Sequence, residues 1–359
     1  MKIAVIFGTR PEIIKLSPVI RALQEKSLPF FVIHSNQHYD ANMDEIFLNE
    51  LQLPEAKYNL KIGSGSHGNM TGRMLIEVEK ILKEEKPNLL IVQGDTNTVL
   101  AVSLAATKLR IPIAHVEAGL RSYSKIPEET NRVLTDRISD FCFAPTTKQQ
   151  DILEKEGIEP ANIYVVGNTV VDSVIQNLEI AKSKQDPLQK FKLEPKKYFL
   201  VTAHREENVD NKTNLEEILK SISEIQKKYD LKCLFPLHPR TKKQIEKFKI
   251  TPPKNIDFTE PTGYLEMLIL MENAKLIVTD SGGIQEEACT LHVPCLTMRE
   301  STERPESIEV GGNIIVGTNH DKILAGAEEM LNKTTDWDNP FGDGKSGEKI
   351  VEILEKKFQ

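Results

Sequence analysis

Residues 2–12 carry the pattern that decides the fold, an unbroken apolar run and then a polar turn: Lys2-Ile3-Ala4-Val5-Ile6-Phe7, followed by Gly8-Thr9-Arg10-Pro11-Glu12. A strand without alternating polar positions is buried on both faces, as in parallel sheets covered by helices. Pro11 suits the first turn of a helix, so Arg10 and Lys15 would flank the start of that helix. Helix amides and dipole favour an anion there, and the basic pair predicts a phosphate contact; a plain turn with a solvated arginine is the structural alternative.

The same pattern recurs along the chain, with short apolar runs separated by segments of helical period. The predicted strands form two series: 2–7, 30–34, 89–92, 113–116, 141–144 and 163–166, then 198–203, 232–237, 256–258, 276–279, 293–298 and 313–316. The break lies near residues 176–197, which are rich in Lys and Gln and contain Pro187 and Pro195. We therefore predict an α/β fold with two Rossmann-like doubly wound domains facing across a cleft, residues 1–168 with 346–359 and residues 169–345.

Composition excludes several classes of protein. The 359 residues are 39% hydrophobic and 28% charged, which is an ordinary globular balance, and the net charge of −7 does not indicate a nucleic-acid surface. No apolar run approaches the roughly 18–20 residues of a membrane span, and the first residues lack the features of a signal peptide. The four cysteines show no C-x-x-C spacing and predict buried free thiols. We expect a cytoplasmic protein without metal or cofactor and without nucleic-acid or membrane partners.

Acidic residues follow two neighbouring strands of the first series. Asp95 comes directly after the third strand, Glu117 after the fourth, and Glu128 lies in the next loop. Strand ends of a parallel sheet meet at one edge, so these carboxylates would converge, and clustered carboxylates raise the proton affinity of at least one member. That arrangement suits general acid–base catalysis. The structural alternative is that Asp95 caps the following helix and that Glu117 pairs with Arg121.

Basic and glycine-rich loops follow strands of the second series. His204 and Arg205 come after its first strand and His238 after its second, which predicts anion contact or proton transfer. After the fourth strand, Ser281 can cap a helix, while Gly282 and Gly283 allow backbone amides to approach a phosphate. Glu287, on the same helix, could accept hydrogen bonds from a ribose diol. Arg304, in the loop after the fifth strand, adds a cation. An ordinary helix cap and a solvated loop are the structural alternatives.

A glycine pattern at residues 63–68 is rejected as a dinucleotide fingerprint. Gly63-Ser64-Gly65-Ser66-His67-Gly68 matches G-x-G-x-x-G, but that fingerprint belongs directly after the first strand of a βαβ unit. We interpret the segment as a flexible surface or lid loop.

Seven motifs, in order, give the sequence a specific resemblance. They are Gly8-Thr9-Arg10-Pro11-Glu12, Gly94-Asp95-Thr96, His115-Val116-Glu117-Ala118-Gly119-Leu120-Arg121, Pro127-Glu128-Glu129, Gly167-Asn168-Thr169, Thr279-Asp280-Ser281-Gly282-Gly283-Ile284-Gln285-Glu286-Glu287 and Thr302-Glu303-Arg304-Pro305-Glu306. The set resembles the non-hydrolysing UDP-N-acetylglucosamine 2-epimerases, nearly from end to end. The resemblance implies a GT-B fold, a homodimer, and reversible conversion to UDP-N-acetylmannosamine by elimination of UDP and its re-addition to an enzyme-bound glycal.

The resemblance also implies roles for individual residues. It assigns proton transfer to Asp95, Glu117 and Glu128, a catalytic-site role to His204, the diphosphate to Arg10, His204, Ser281, Gly282 and Arg304, and the ribose to Glu287. The sequence departs from the family at Gln93, where His is frequent, and at Met267, where an aromatic near the uracil is common. Gln37-His38-Tyr39-Asp40 keeps only the start of a segment that bacterial members use for activation by substrate.

Other functions stay open at this point. A GT-B glycosyltransferase would pass the sugar of a UDP-sugar to an acceptor, and an epimerase could act on a further-modified UDP-N-acetylhexosamine. A nucleotide-sugar sensor without catalysis is a third reading, which the cluster of repelling carboxylates disfavours.

Overall fold

The computed structural model describes residues 1–36, 41–123, 125–184 and 186–358. The chain divides into two compact units, Met1–Ile175 with Phe341–Gln359, and Gln176–Pro340. The division at 175/176 falls inside a helix, whereas the predicted boundary at 168/169 lies at the start of that helix. The segment Gln37-His38-Tyr39-Asp40 lies outside the described residues.

Strands and helices alternate through both units. The first part of the chain contains β1 (Ile3–Phe7), α1 (Arg10–Glu25), β2 (Phe30–His34), α2 (Ala41–Glu50), β3 (Tyr58–Asn59), α3 (His67–Glu85), β4 (Leu89–Gln93), α4 (Asn97–Lys108), β5 (Ile113–Val116), α5 (Pro127–Ile138), β6 (Phe141–Ala144), α6 (Thr147–Lys155), a 3-10 turn (Pro160–Asn162), β7 (Ile163–Val165) and α7 (Thr169–Lys184). The second unit continues with α8 (Pro187–Lys190), β8 (Tyr198–Thr202), α9 (Glu206–Val209), α10 (Lys212–Tyr229), β9 (Lys232–Pro236), α11 (Pro239–Lys247), β10 (Asp257–Thr259), α12 (Tyr264–Asn273), β11 (Leu276–Thr279), α13 (Gly282–Thr290), β12 (Cys295–Thr297), α14 (Pro305–Glu309), β13 (Asn313–Ile315) and α15 (His320–Leu331). The last helix, α16 (Ser346–Lys357), belongs to the first unit.

Each unit is built on one parallel sheet with the Rossmann strand order. The first sheet runs β3-β2-β1-β4-β5-β6-β7 and the second β10-β9-β8-β11-β12-β13. In the first, Val5 of β1 lies opposite Val32 of β2 and Ile91 of β4. In the second, Leu200 of β8 lies opposite Leu234 of β9 and Ile277 of β11. Helical crossovers between such strands cover both faces of each sheet.

The apolar pattern of the sequence predicts these elements closely. Every predicted strand is present in the described residues, with ends that differ by at most two residues. The central strands β1, β4 and β8 are buried at every position, as their unbroken apolar runs predict. β3 was not predicted, because a two-residue strand at the sheet edge has no apolar run of its own.

The predicted helices bury the predicted faces. The apolar stripe of α10, from Leu215 to Ile225, is buried against the second sheet. On α16, Ile350, Val351 and Leu354 are buried, and this helix packs on α1. Among the described residues, none of the helices combines the length and apolarity that crossing a membrane requires.

Candidate active site

The strand order creates a topological switch point in each unit, between β1 and β4 and between β8 and β11. Ligands of open α/β sheets bind at the carboxyl ends of strands at such points. The predicted site residues are concentrated in the loops that leave these strands and in the helices that follow.

Glu117 follows β5 and accepts hydrogen bonds from three separate parts of the first unit. Lys15 Nζ on α1 lies 2.5 Å from Oε1, Gln93 Nε2 at the end of β4 donates to Oε2, and Asn168 Nδ2 lies 3.4 Å from Oε1. The Glu117 side chain is only 5% exposed. Its backbone φ of 67° is an unfavourable value for a residue with a Cβ atom, and such strain is concentrated at functional sites. Both carboxylate oxygens are thus fixed in position.

Asp95 follows β4 and is held by α5. Its carboxylate pairs with Arg132, and Asn131 Nδ2 donates to its backbone carbonyl over 2.9 Å. The Asp95 side chain remains 30% exposed. Glu128 is exposed in the first turn of α5, four residues before Arg132, so it lies on the helix face that contacts Asp95. The structure therefore brings the three predicted carboxylates to adjoining elements.

The structural alternatives for two of these carboxylates are wrong. Arg121 pairs with Asp136, with 2.8 Å between Nη1 and Oδ2, rather than with Glu117. The helix after β4 is capped by the side chain of Thr96, not by Asp95. Neither carboxylate is needed for the local fold in the way those alternatives require.

Glu12 connects the loops after β1 and β4 at the first switch point. Its Oε2 accepts from Gly8 N at 3.0 Å and Thr9 Oγ1 at 2.8 Å, and its Oε1 accepts from Thr96 Oγ1 at 2.8 Å. The side chain is buried. Burial raises the pKa of Glu12 to about 7, although these hydrogen bonds act in the opposite direction. Glu12 thus fixes the position of the Gly94–Thr96 turn relative to the start of α1.

The two basic residues of the first motif lie in different environments. Lys15 was predicted to contact phosphate, and the structure places its ammonium against Glu117 with only 11% of the side chain exposed. Arg10 is exposed as the first residue of α1, where its guanidinium lies 5.5 Å from the centre of the Phe47 ring.

In the second unit, the fully buried Asp280 ties the loop after β8 to the end of β11. Its carboxylate accepts from the backbone amides of His204, at 2.9 Å, and Arg205, at 3.0 Å. Asn208 Nδ2 also donates to it, at 3.1 Å. Arg205 Nε in turn donates a hydrogen bond to the backbone carbonyl of Asp280 at 3.0 Å. The predicted residues His204 and Arg205 are therefore held at the second switch point.

His204 and His238 form a pair. Their ring centroids are 5.2 Å apart, and His204 Nδ1 lies 3.4 Å from Asp280 Oδ1. His238 caps α11 by accepting from Arg240 N at 3.2 Å, which requires an unprotonated Nδ1. Burial lowers the pKa of His238, and the neighbouring His204 lowers it further.

The start of α13 lies beside a guanidinium. Ser281 occupies the N-cap position, but its hydroxyl makes no capping hydrogen bond to the helix. A Cβ placed on Gly282 would lie 3.5 Å from Arg304 Nη1, and one on Gly283 would meet nothing within 4 Å. Helix amides, a hydroxyl and a cation are thus presented together with open space in front of the backbone, which suits a phosphate.

Carboxylates hold Arg304 in this position. Its Nε lies 3.3 Å from Glu286 Oε1, and its Nη1 lies 3.4 Å from Glu303 Oε2. Burial alone would raise the pKa of Glu303, but hydrogen bonds from Arg299 and the nearby cations bring it down to about 2. Farther along α13, Glu287 is buried, and Met267 is half-buried on α12.

Several residues that shape the site carried no role in the sequence reasoning: Glu12, His115, Arg132, Asn168 and Asp280. Thr9-Arg10-Pro11-Glu12 has the T-x-x-E spacing of a capping box, which is a signal for Glu12 that was available. The others act through partners far away in the sequence, as between Asn168 and Glu117, and no local pattern reveals such contacts.

Comparison with known proteins identifies the family. Residues 21–355 match the family model described as UDP-N-acetylglucosamine 2-epimerase. The chain belongs to this family. A UDP-N-acetylglucosamine 2-epimerase of Methanocaldococcus jannaschii is 56% identical over an alignment of 361 positions that covers 99% of each chain.

A crystal structure of this relative and one further relative are similar to the chain over nearly its full length. A crystal structure of the M. jannaschii enzyme in complex with UDP-GlcNAc and UDP has 57% sequence identity and a TM-score of 0.88, and the match covers 99% of this chain and 100% of that one. A Pseudomonas aeruginosa UDP-2,3-diacetamido-2,3-dideoxy-D-glucuronate 2-epimerase is 42% identical, over 99% of this chain and 100% of that protein. The predicted family and the α/β fold class of the GT-B type are confirmed.

Proposed function

We propose that this chain interconverts UDP-N-acetylglucosamine and UDP-N-acetylmannosamine. A base removes the proton from carbon 2, the electron pair forms the C1–C2 double bond of a glycal, and the C1–O bond breaks to release UDP. In the return step UDP adds back to carbon 1 and a proton is delivered to the opposite face of carbon 2. No net oxidation occurs, so the cycle balances with acid–base groups alone.

The observation that carries this proposal is the pair of carboxylates at the ends of β4 and β5. Asp95 and Glu117 are each tied to a cation, Arg132 and Lys15 respectively, and neither is used to cap a helix. Together with Glu128 they give three acid–base groups at one strand edge. Asp95 and Glu128 are the more exposed members and are therefore the better placed to reach a sugar. Lys15 then serves Glu117 rather than a phosphate.

The second unit supplies the UDP site in this proposal. The amides at the start of α13, with Ser281, Gly282, Gly283 and Arg304, would bind the diphosphate, assisted by His204, Arg205 and His238. Fixed donors of this kind stabilise the charge that develops on a diphosphate leaving group. Glu287 would accept from the ribose, and Met267 would contact the uracil through its polarisable sulfur.

Incubation with UDP-N-acetylglucosamine in heavy water tests the reaction directly. We expect deuterium at carbon 2 of the recovered substrate and formation of the manno epimer without any added acceptor. Release of UDP that requires an acceptor, with no exchange at carbon 2, would indicate a glycosyltransferase. Binding of the nucleotide sugar without deuterium exchange at carbon 2, even at high enzyme concentration, would indicate a sensor without catalysis.

A further-modified substrate is the second candidate, because the P. aeruginosa relative is named for a diacetamido glucuronate sugar. Parallel assays with UDP-N-acetylglucosamine and that uronate distinguish the two. The proposal requires the kcat/KM for UDP-N-acetylglucosamine to be at least about tenfold higher than that for the uronate, a difference of about 1.4 kcal/mol.

We further propose a cytoplasmic homodimer. The four cysteines are buried free thiols, which suits a reducing compartment. Apolar side chains are exposed on the first unit at Ile76 of α3 and at Val133 and Leu134 of α5, and a second copy would cover them. Light scattering coupled to gel filtration measures the mass, and a monomer across the micromolar range would contradict the dimer.

A further inference from the structure

The buried Asp136 on α5 accepts N–H donors on both of its oxygens. His115 Nδ1 lies 2.7 Å from Oδ1, while Arg121 Nη1 at 2.8 Å and Gly119 N at 3.2 Å reach Oδ2. The side chains of Asp136 and His115 are 1% and 0% exposed. Three of these four residues come from the His115–Arg121 motif, in which the proposed function uses only Glu117.

The other ring nitrogen of His115 faces a group that can only accept. His115 Nε2 lies 2.8 Å from the carbonyl oxygen of Gly94, so Nε2 carries a proton. The contact between Nδ1 and the Asp136 carboxyl needs a second proton, on one partner or the other. His115 and Asp136 therefore share one proton beyond the one on Nε2, and the pair is neutral as a unit.

The groups around the His115–Asp136 pair add no net charge to it. Arg121 also pairs with Glu156, with 2.5 Å between Nη2 and Oε2. The Cys142 thiol lies 3.7 Å from the Asp136 carbonyl, and burial raises the pKa of this thiol well above its usual range, so it stays uncharged. The cluster thus has no net charge, which makes its burial tolerable.

Gly94 is the residue immediately before Asp95. Its φ of 82° turns the chain out of β4, and its carbonyl is held by His115. On α5, Arg132 and Asp136 are four residues apart and lie on one helix face. His115 and Asp136 therefore fix both sides of the Asp95–Arg132 pair, the loop on one side and the helix on the other.

We propose that His115, through its Nε2–H bond to the Gly94 carbonyl, is a positioning residue that aims the Asp95 carboxylate at carbon 2 of the sugar. His115 does not touch substrate. The proposal rests on the proposed role of Asp95 in proton transfer. A displaced catalytic group loses rate more than binding, and a misplacement of about 1 Å can lower the rate by about 100-fold.

Two amide substitutions separate the two contacts of the ring. Asn places its amide near the position of Nδ1, so His115→Asn keeps the contact with Asp136 and loses the one with Gly94. Gln reaches the position of Nε2, so His115→Gln keeps a donor to Gly94. We expect His115→Asn to lower kcat by about 30- to 100-fold with KM within about threefold, and His115→Gln to recover most of that loss.

The thermal stability of both variants is measured alongside their kinetics. Equal kcat for the two variants, or kcat that follows stability, would overturn the proposal, because a structural role depends on Asp136 as much as on Gly94. Asp95→Asn separates this from the proposed function: if Asp95→Asn still exchanges the carbon-2 proton, the assignment of Asp95 fails whatever His115 does. If His115→Asn does not fold, the imidazole ¹⁵N spectrum of the wild-type protein tests the proposal instead. We expect a protonated Nε2, and an Nε2 without a proton would overturn the proposal because it cannot donate to the Gly94 carbonyl.

Discussion

Glu12 shows how a single buried carboxyl can set the geometry of two loops. It accepts from donors on the loop after β1 and from Thr96 on the loop after β4, with almost no solvent contact. The hydrogen bonds favour the carboxylate, but burial dominates and raises the pKa of Glu12 from 4.5 to about 7. The folded state therefore holds the proton more tightly than the unfolded state does.

The pH dependence of stability should reveal this residue. Because folding raises the pKa of Glu12, its protonated carboxyl contributes to the free energy of unfolding. This contribution is complete below about pH 4.5 and is lost as the pH rises to about 7. Between pH 5 and pH 8 we expect the wild type to lose up to ~3 kcal/mol more unfolding free energy than Glu12→Gln, which cannot titrate. Denaturant unfolding at the two pH values measures the difference. Parallel pH dependence of the two proteins would contradict the raised pKa.

The carboxylates and the cation beside α13 should affect different kinetic quantities. Asp95→Asn and Glu117→Gln should lower kcat by at least about 100-fold, the range for general acid–base groups, with UDP affinity nearly unchanged. Arg304→Ala should weaken UDP binding by about 10-fold or more, because it removes a charge-assisted contact. Calorimetric titration with UDP and single-turnover kinetics separate these effects.

Lys228→Ala is the matched control for loss of a cation in the second unit. Lys228 pairs with Glu328 on the surface, at 2.8 Å, and should change neither quantity. If Asp95→Asn and Glu117→Gln weakened UDP binding as much as Arg304→Ala does, the carboxylates would be structural.

Among the helices, α13 differs from α15 in how its first turn is satisfied. Asn319 caps α15 by accepting from Lys322 N at 3.1 Å, whereas the Ser281 hydroxyl makes no such bond to α13. The N-cap side chain therefore does not satisfy the amides at the start of α13, and under the proposed function the diphosphate would accept hydrogen bonds from them. The two N-cap side chains therefore differ: that of Asn319 caps its helix, and that of Ser281 does not.

Alanine substitutions at the two N-caps should therefore have opposite consequences. Asn319→Ala should cost about 1 kcal/mol of unfolding free energy and leave UDP binding unchanged. Ser281→Ala should change stability little and reduce the thermal stabilisation by UDP. Thermal unfolding with and without saturating UDP measures both. A stability loss from Ser281→Ala as large as that from Asn319→Ala would show that the hydroxyl serves the helix.

The sequence predicts elements well and side-chain partners poorly, for a physical reason. An apolar run reports on the burial of its own residues, so β1, β4 and β8 could be located directly. The partners of Glu117 come from α1, β4 and the segment before α7, which no local pattern connects. The motifs located the carboxylates, but only the fold shows that Lys15 pairs with Glu117 and that Arg121 pairs with Asp136.

At the scale of the whole molecule, the end of the chain completes the first unit. α16 packs on α1, and Gly347 N donates to the buried Asp172 Oδ1 at 2.8 Å. Asn168, which contacts Glu117, also donates its backbone amide to the Phe341 carbonyl at 2.7 Å. Phe341 is thus connected to Glu117 through Asn168, and Gly347 is connected to α7 through Asp172.

A core substitution in α16 should therefore destabilise the first unit selectively. Leu354 is fully buried, and Leu354→Ala should cost about 2–5 kcal/mol, because it leaves a cavity between α16 and its neighbours. Hydrogen exchange followed by mass spectrometry should then show faster exchange in β1 and α1, with β8 to β13 unchanged. Leu215→Ala, at an equally buried position of α10, is the matched control and should give the reverse pattern. Faster exchange throughout the chain in both variants would mean that the two units unfold together, in which case the division at 175/176 and 340/341 would describe geometry and not stability.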